Sequence, residues 1–131
     1  MADAKIVSIV DDDAMVHFTI KKMLQFKVDP KDIMTFMDGE AVYQYLKENA
    51  ADAAMIPDIM FLDLNMPFMD GWEFLNNYAS LKSQLAKEIT IYVLSSSVSD
   101  LDILTAKTNP NVKDYIHKPI SKSKLEEVFT Q

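Results

Sequence analysis

The chain has 131 residues, of which 49% are hydrophobic and 25% are charged, and its formal net charge is −7. These values are typical of one globular domain and exclude a disordered or membrane-embedded chain. Because cysteine and arginine are both absent, the sequence excludes disulfides and thiolate metal sites and argues against nucleic acid or an anionic membrane as a partner. No apolar run reaches the roughly 18 residues of a spanning helix and no secretory leader is recognisable, so we expect a cytoplasmic protein.

Five short, mostly apolar runs alternate with longer amphipathic stretches along the chain. The runs predict buried strands at residues 6–10, 33–36, 59–62, 90–94 and 112–116. Helices are predicted at 14–27 and from 38–40 through Leu46. A third helix begins near Asp70, but the polar stretch 76–87 leaves its end undefined. A fourth is capped by Ser99 or Asp102, and a fifth begins at Ser121 or Ser123. This alternation predicts an α/β fold, a doubly wound parallel sheet with helices on both faces.

The first predicted helix has a distinct apolar face. A spacing of 100° per residue places six apolar side chains on that face: Met15, Val16, Ile20, Met23, Leu24 and Phe26. Phe18 falls on the opposite, lysine-bearing face, where it is either incidental or a docking residue for a partner. His17 and His117 are interpreted as surface or edge residues without a chemical role.

Polar side chains follow four of the five predicted strands. In strand order they are Asp11, Asp12 and Asp13, then Asp63, then Ser95, and finally Lys118. The carboxyl ends of parallel strands share one sheet edge, where such folds bind their ligands. Carboxylates gathered there repel one another, and Mg²⁺, a hard cation that prefers oxygen ligands, would relieve that repulsion. Separately each residue has an ordinary explanation, such as a helix cap for Asp13. Together they suit an aspartate that attacks a phosphoryl group.

The segments that carry these residues resemble the receiver domain of bacterial two-component response regulators, the CheY-like type. They are Ile-Val-Asp-Asp at 9–12, Phe-Leu-Asp-Leu-Asn-Met-Pro-Phe-Met-Asp-Gly at 61–71, Val-Leu-Ser-Ser at 93–96 and Asp-Tyr-Ile-His-Lys-Pro at 114–119. The resemblance spans residues 6–129. It implies a flavodoxin-like three-layer sandwich of five strands in the order 2-1-3-4-5 and five helices. It also implies a single receiver domain over residues 1–131 with no effector domain.

The resemblance implies a role for each residue at this edge. Asp63 corresponds to the phosphoacceptor and Lys118 to the lysine that pairs with the phosphoryl group. Asp12 corresponds to a direct Mg²⁺ ligand, Asp11 to a carboxylate that acts mainly through water, and Asn65 to the residue whose main-chain carbonyl binds the metal.

The same resemblance implies a conformational switch. Ser95 and Tyr115 take the positions of the switch hydroxyl and the switch aromatic residue, and the bond before Pro119 is expected to be cis. Ser96 departs from the pattern, because a small apolar residue is usual there. The chain would take its phosphoryl group from a histidine kinase or a histidine phosphotransfer protein and would signal to an unidentified protein, as a monomer or a weak homodimer. It would not be a turnover enzyme.

Three alternative functions are weighed against this one. A phosphohydrolase of the haloacid dehalogenase type would have a second carboxylate two residues after the nucleophile, where this chain has Asn65. A flavin-binding protein would have a glycine-rich phosphate loop after strand one, but the chain has only two glycines and three aspartates follow that strand. A degenerate receiver, acting as a phosphorylation-independent binding module, usually lacks the acid pair, the acceptor or the lysine; all are present here.

Overall fold

The computed structural model describes residues 5–130. Its strands are β1 (Val7–Val10), β2 (Ile33–Phe36), β3 (Ile59–Leu62), β4 (Thr90–Ser95) and β5 (Val112–His117). Its helices are α1 (Ala14–Leu24), α2 (Gly39–Glu48), α3 (Gly71–Leu81), α4 (Asp100–Thr108) and α5 (Lys122–Thr130). The strands form one parallel sheet in the order β2-β1-β3-β4-β5, so the predicted fold class and strand order are confirmed.

The central strands are buried on both faces, because helices cover each side of the sheet. In β3, Ile59 and Phe61 belong to the apolar cluster under α1 and α5, whereas Met60 and Leu62 belong to the cluster under α2, α3 and α4. This assignment follows the alternation of side chains along a strand. It explains why β3 appears in the sequence as a continuous apolar run rather than as an alternating pattern.

Side-chain caps set most helix starts where the sequence predicts them. Asp13 Oδ1 accepts a hydrogen bond from the Met15 amide and caps α1. Asp70 and Glu73 form a reciprocal capping box at the start of α3. Of the two candidate caps for α4, Ser99 is the one used, and Ser121 Oγ accepts from the main chain in the first turn of α5.

The first helix begins at Ala14 as predicted but differs from its prediction at its carboxyl end and in two of its apolar side chains. It stops at Leu24 rather than at residue 27, and the chain turns there because the amides of Lys27 and Val28 both donate to the Leu24 carbonyl. Phe26 therefore lies outside the helix and is 91% exposed. Met15, in the first helical turn, is also exposed and borders an open groove. The prediction that these two side chains pack in the core is wrong.

The loops contain further details that the sequence left open. The stretch 76–87 contains the end of α3, a short 3₁₀ turn at Lys82–Gln84 and a loop that leads into β4.

Phe18 is exposed as predicted, with the Lys22 ammonium 5.8 Å from the centre of its ring. Its docking role stays a prediction. None of the helices within residues 5–130 has the length and apolar character that crossing a membrane requires.

Candidate functional site

The carboxyl ends of β1 and β3 bring three aspartates together, as the sequence predicts. Val10 and Leu62 are paired in the sheet, so the residues that follow each strand emerge side by side, and the Asp63 amide donates to the Val10 carbonyl. Asp11, Asp12 and Asp63 each place one carboxylate oxygen within 4.8 Å of the others. Asp11 and Asp63 are buried and Asp12 is exposed, so the cluster opens to solvent on the Asp12 side.

Lys118 supplies the positive charge of the cluster. It follows β5, and its amide donates to the Ser95 carbonyl, which ties the end of β5 to the end of β4. Its Nζ lies 2.8 Å from Asp11 Oδ2 and 3.4 Å from Asp63 Oδ1. Burial alone would lower the pKa of Lys118, but the ion pairs with Asp11 and Asp63 outweigh burial and raise it. The peptide bond between Lys118 and Pro119 is cis, as expected.

The single positive charge of Lys118 does not neutralise the three neighbouring carboxylates. The pKa of Asp63 is raised, first by burial and then by the neighbouring charge of Asp11, although Lys118 and a hydrogen bond from the Leu64 amide oppose both effects. The buried Oδ2 of Asp11 lies 2.8 Å from the Lys118 ammonium, which it shares with Asp63. One ammonium shared by two buried carboxylates, with the third carboxylate of Asp12 beside them, suits a divalent cation with oxygen ligands, so the donor set fits Mg²⁺.

Asn65 occupies the position that the resemblance assigns to a main-chain ligand. It lies in the loop after β3, two residues beyond Asp63, and its side chain is exposed. Its role as a main-chain ligand stays a prediction.

Ser95 and Tyr115 lie on the neighbouring strands β4 and β5 and are both buried. Both contact the same residue, Ser97. Ser95 Oγ accepts a hydrogen bond from the Ser97 amide at 3.1 Å, and the Tyr115 hydroxyl donates to the Ser97 carbonyl. The Ser97 hydroxyl in turn donates to Asp102 on α4 at 2.8 Å. The two predicted switch residues are therefore connected to α4 through one loop residue.

The sequence reasoning missed two residues at this edge. His17 is buried rather than at the surface, and its Nε2 lies 2.7 Å from the Asp11 carbonyl oxygen. The only sequence signal was its position three residues before Ile20, on the apolar side of α1. Asp102 entered the sequence analysis only as a possible cap, but its carboxylate accepts the hydrogen bond from Ser97. His117 is exposed, as expected.

Gly71 allows the start of α3 to lie against the main chain of the acceptor segment. A Cβ atom at this position would lie 2.3 Å from the Asp63 carbonyl oxygen and 2.8 Å from the Leu64 Cα. The Gly71 amide also donates to the Leu64 carbonyl. The position of Asp63 is therefore fixed by β1 on one side and by α3 on the other.

Gly71→Ala should destabilise the protein because the new methyl group must displace the main chain of Asp63 and Leu64. We expect a loss of about 1–3 kcal/mol in the free energy of unfolding, the usual range for overpacking, measured by urea denaturation. Ser80→Ala, at an exposed position of the same helix, is the control and should be nearly neutral. Equal stability of Gly71→Ala and the wild type would contradict the close approach.

Comparison with known proteins gives a consistent result over nearly the whole chain. Residues 7–130 match the family described as the response regulator receiver domain. A two-component response regulator from Cytophaga hutchinsonii is 27% identical, superposes with a TM-score of 0.81 and is matched over 96% of each chain. The phosphorylated cyanobacterial phytochrome response regulator RcpA is 30% identical with a TM-score of 0.77, over 97% of this chain and 89% of that one.

The curated relatives are longer than this chain. The probable methanogenesis regulatory protein FilR2 of Methanothrix harundinacea is 34% identical over 84 residues, which are 64% of this chain and 52% of that protein. The chain spans about half the length of the curated relatives it matches.

Proposed function

Since the chain belongs to the family of response regulator receiver domains, we propose that Asp63 accepts a phosphoryl group in a reaction that requires Mg²⁺. The observation that carries this proposal is the convergence of Asp11, Asp12 and Asp63 with the Lys118 ammonium at one sheet edge. The donor would be a histidine kinase or a histidine phosphotransfer protein, and the reaction would take place in the bacterial cytoplasm. Phosphorylation would then change a surface that binds a downstream protein.

The proposal gives each residue a task in this reaction. A carboxylate oxygen of Asp63 forms the new bond to phosphorus, while the bond from phosphorus to the donor nitrogen breaks and its electron pair stays on that nitrogen. The Lys118 ammonium, already 3.4 Å from Asp63 Oδ1, would neutralise charge on the phosphoryl oxygens. Mg²⁺, held by Asp11, Asp12, Asp63 and the Asn65 carbonyl, would supply further neutralisation of the same oxygens.

We also propose that the chain is not a turnover enzyme and catalyses only its own phosphorylation and dephosphorylation. The residue two positions after the acceptor is Asn65, which cannot act as a general acid or base as a carboxylate would. Ser97, two positions after Ser95, is engaged with Asp102 and carries no charge. Hydrolysis of the phosphoryl group would therefore depend on the metal and on positioning.

Asp63→Asn should abolish phosphorylation, because the amide cannot attack phosphorus as a carboxylate does. Intact-mass measurement after treatment with acetyl phosphate and Mg²⁺ should show one added phosphoryl group on the wild type and none on the variant. Asp58→Asn is a matched control, because Asp58 precedes the opposite end of β3 and pairs with Lys87. Labelling of Asp63→Asn equal to that of the wild type, or labelling that persists in EDTA, would refute the assignment.

Mg²⁺ should stabilise the fold because it relieves repulsion among Asp11, Asp12 and Asp63. At a Mg²⁺ concentration 100 times the dissociation constant, linkage predicts a gain of about 2.7 kcal/mol, seen as a rise in Tm by calorimetry. Asp12→Ala should remove the Mg²⁺-dependent part of that rise. Asp32→Ala, which changes a carboxylate in the turn before β2, should keep it. A Tm of the wild type that millimolar Mg²⁺ does not change would count against the site.

Ser95→Ala should separate phosphorylation from the conformational response. The variant keeps Asp63 and should still be labelled, but it lacks the hydroxyl that would hydrogen-bond a phosphoryl oxygen, a charge-assisted bond worth about 1.5–3 kcal/mol. We therefore expect the amide signals of residues 96–120 to shift on phosphorylation of the wild type and to stay in place in this variant. Ser96→Ala, the exposed neighbour, should respond as the wild type does. A full spectral shift in Ser95→Ala would exclude the coupling.

A further inference from the structure

His17 is a buried side chain with a single hydrogen bond. It is 6% exposed, and its Nε2 lies 2.7 Å from the Asp11 carbonyl oxygen. A carbonyl oxygen can only accept, so Nε2 carries the proton and donates it. The other ring nitrogen, Nδ1, is buried and has no hydrogen-bond partner within residues 5–130.

Packing alone does not account for a histidine at this position. His17 lies on the side of α1 that faces the sheet, in the same helix as the buried Ile20 and Leu24. A leucine there would bury its side chain without the unpaired ring nitrogen Nδ1, but it would leave the Asp11 carbonyl without the hydrogen bond from Nε2. The distinctive contribution of His17 is therefore its one hydrogen bond.

That hydrogen bond goes to the peptide unit that joins Asp11 to Asp12. The other polar groups of Asp11 are held by different parts of the fold. Its amide donates to the Phe36 carbonyl, Oδ1 accepts from the Asp13 amide at 2.9 Å, and Oδ2 pairs with Lys118 at 2.8 Å. The carbonyl is the remaining group, and His17 holds it from the buried face of α1.

The orientation of this peptide unit matters most for Asp12. The carboxylate of Asp12 is exposed, so packing does not set its direction as it does for Asp11 and Asp63. Its direction depends on the main chain that leaves Asp11, which includes the peptide unit held by His17.

We infer that His17 is a positioning residue that fixes the Asp11–Asp12 peptide and so aims the Asp12 carboxylate at the cation site. The inference rests on the proposed function, because it requires that this site binds a divalent cation. In this role His17 contacts neither the cation nor the phosphoryl group. His17 raises the affinity for the cation, and this effect is separable from its effect on folding.

Two variants that carry the same amide group on side chains of different length test this role. In His17→Gln the amide nitrogen reaches the place of Nε2, whereas in His17→Asn it reaches only the place of Nδ1. We expect His17→Gln to bind Mg²⁺ as the wild type does and His17→Asn to bind it about tenfold more weakly, the usual effect of losing an outer-shell partner. Calorimetric titration with Mg²⁺ measures the affinity, and urea denaturation in EDTA measures stability without the metal.

Two further variants separate positioning from folding. His17→Leu restores apolar packing, so we expect its stability in EDTA to equal or exceed that of His17→Asn while its Mg²⁺ affinity stays low. Tyr78→Phe removes a buried hydroxyl that accepts from the Ile89 amide, on the face of the sheet covered by α2, α3 and α4. It should lower stability and leave Mg²⁺ affinity unchanged.

The possible results distinguish this inference from the proposed function. Mg²⁺ affinities of His17→Asn and His17→Leu equal to that of the wild type would overturn the role of His17 and leave the cation site standing. Affinities that follow stability in EDTA across all variants, Tyr78→Phe included, would also overturn it. Absence of Mg²⁺ binding by the wild type would overturn the inference together with the proposed function.

Discussion

The repulsion between two buried carboxylates, Asp11 and Asp63, is the constraint on which the candidate site depends. The parallel pairing of β1 with β3 holds them side by side, because the Asp63 amide is bonded to the carbonyl of Val10. Lys118 relieves this repulsion in part, yet the pKa of Asp63 stays raised because of burial and the charge of Asp11. The fold therefore keeps a region of excess negative charge that a divalent cation with oxygen ligands would neutralise.

At the same sheet edge, a short series of hydrogen bonds connects the aspartate cluster to the start of α4. Lys118 is bonded to the Ser95 carbonyl, and Ser95 Oγ accepts from the Ser97 amide. Tyr115 and Asp102 both contact Ser97, one through its carbonyl and the other through its hydroxyl. If the Ser95 hydroxyl turned towards a phosphoryl oxygen, the Ser97 amide would lose its partner. The loop that holds Tyr115 and the start of α4 would then have to rearrange, which is the kind of two-state element that a switch needs.

The sequence predicts the sheet better than it predicts the helices that cover it. The central strands β1, β3 and β4 are mostly apolar and buried on both faces, so their carboxyl ends fall where the run meets a polar residue. The helical pattern continues past the true end of α1 because Phe26 has the right spacing, although the chain has already turned at Leu24. The spacing of residues carries no information about that turn, since the turn is formed by main-chain hydrogen bonds.

In the candidate site too, the sequence predicts the residues at strand ends but not the contacts made by the helices and loops. Asp11, Asp63 and Lys118 each follow a strand and Ser95 ends one, and the parallel sheet brings strand ends together whatever the loops do. The contacts of His17 and Asp102 depend instead on how a helix and a loop settle against that edge. A helical wheel places His17 on a face but cannot show that a carbonyl six residues earlier lies within reach of its ring.

Two buried polar atoms of the interior are incompletely paired. Within residues 5–130, His17 Nδ1 has no hydrogen-bond partner, and Asp11 Oδ2 has the Lys118 ammonium, which it shares with Asp63. Both belong to side chains that meet at one residue, since His17 holds the main chain of Asp11. Buried polar atoms of this kind destabilise a fold, and natural proteins concentrate such exceptions at functional sites. Their presence together beside Asp11 makes this edge of the sheet, rather than the well-paired opposite edge, the part of the molecule organised for binding.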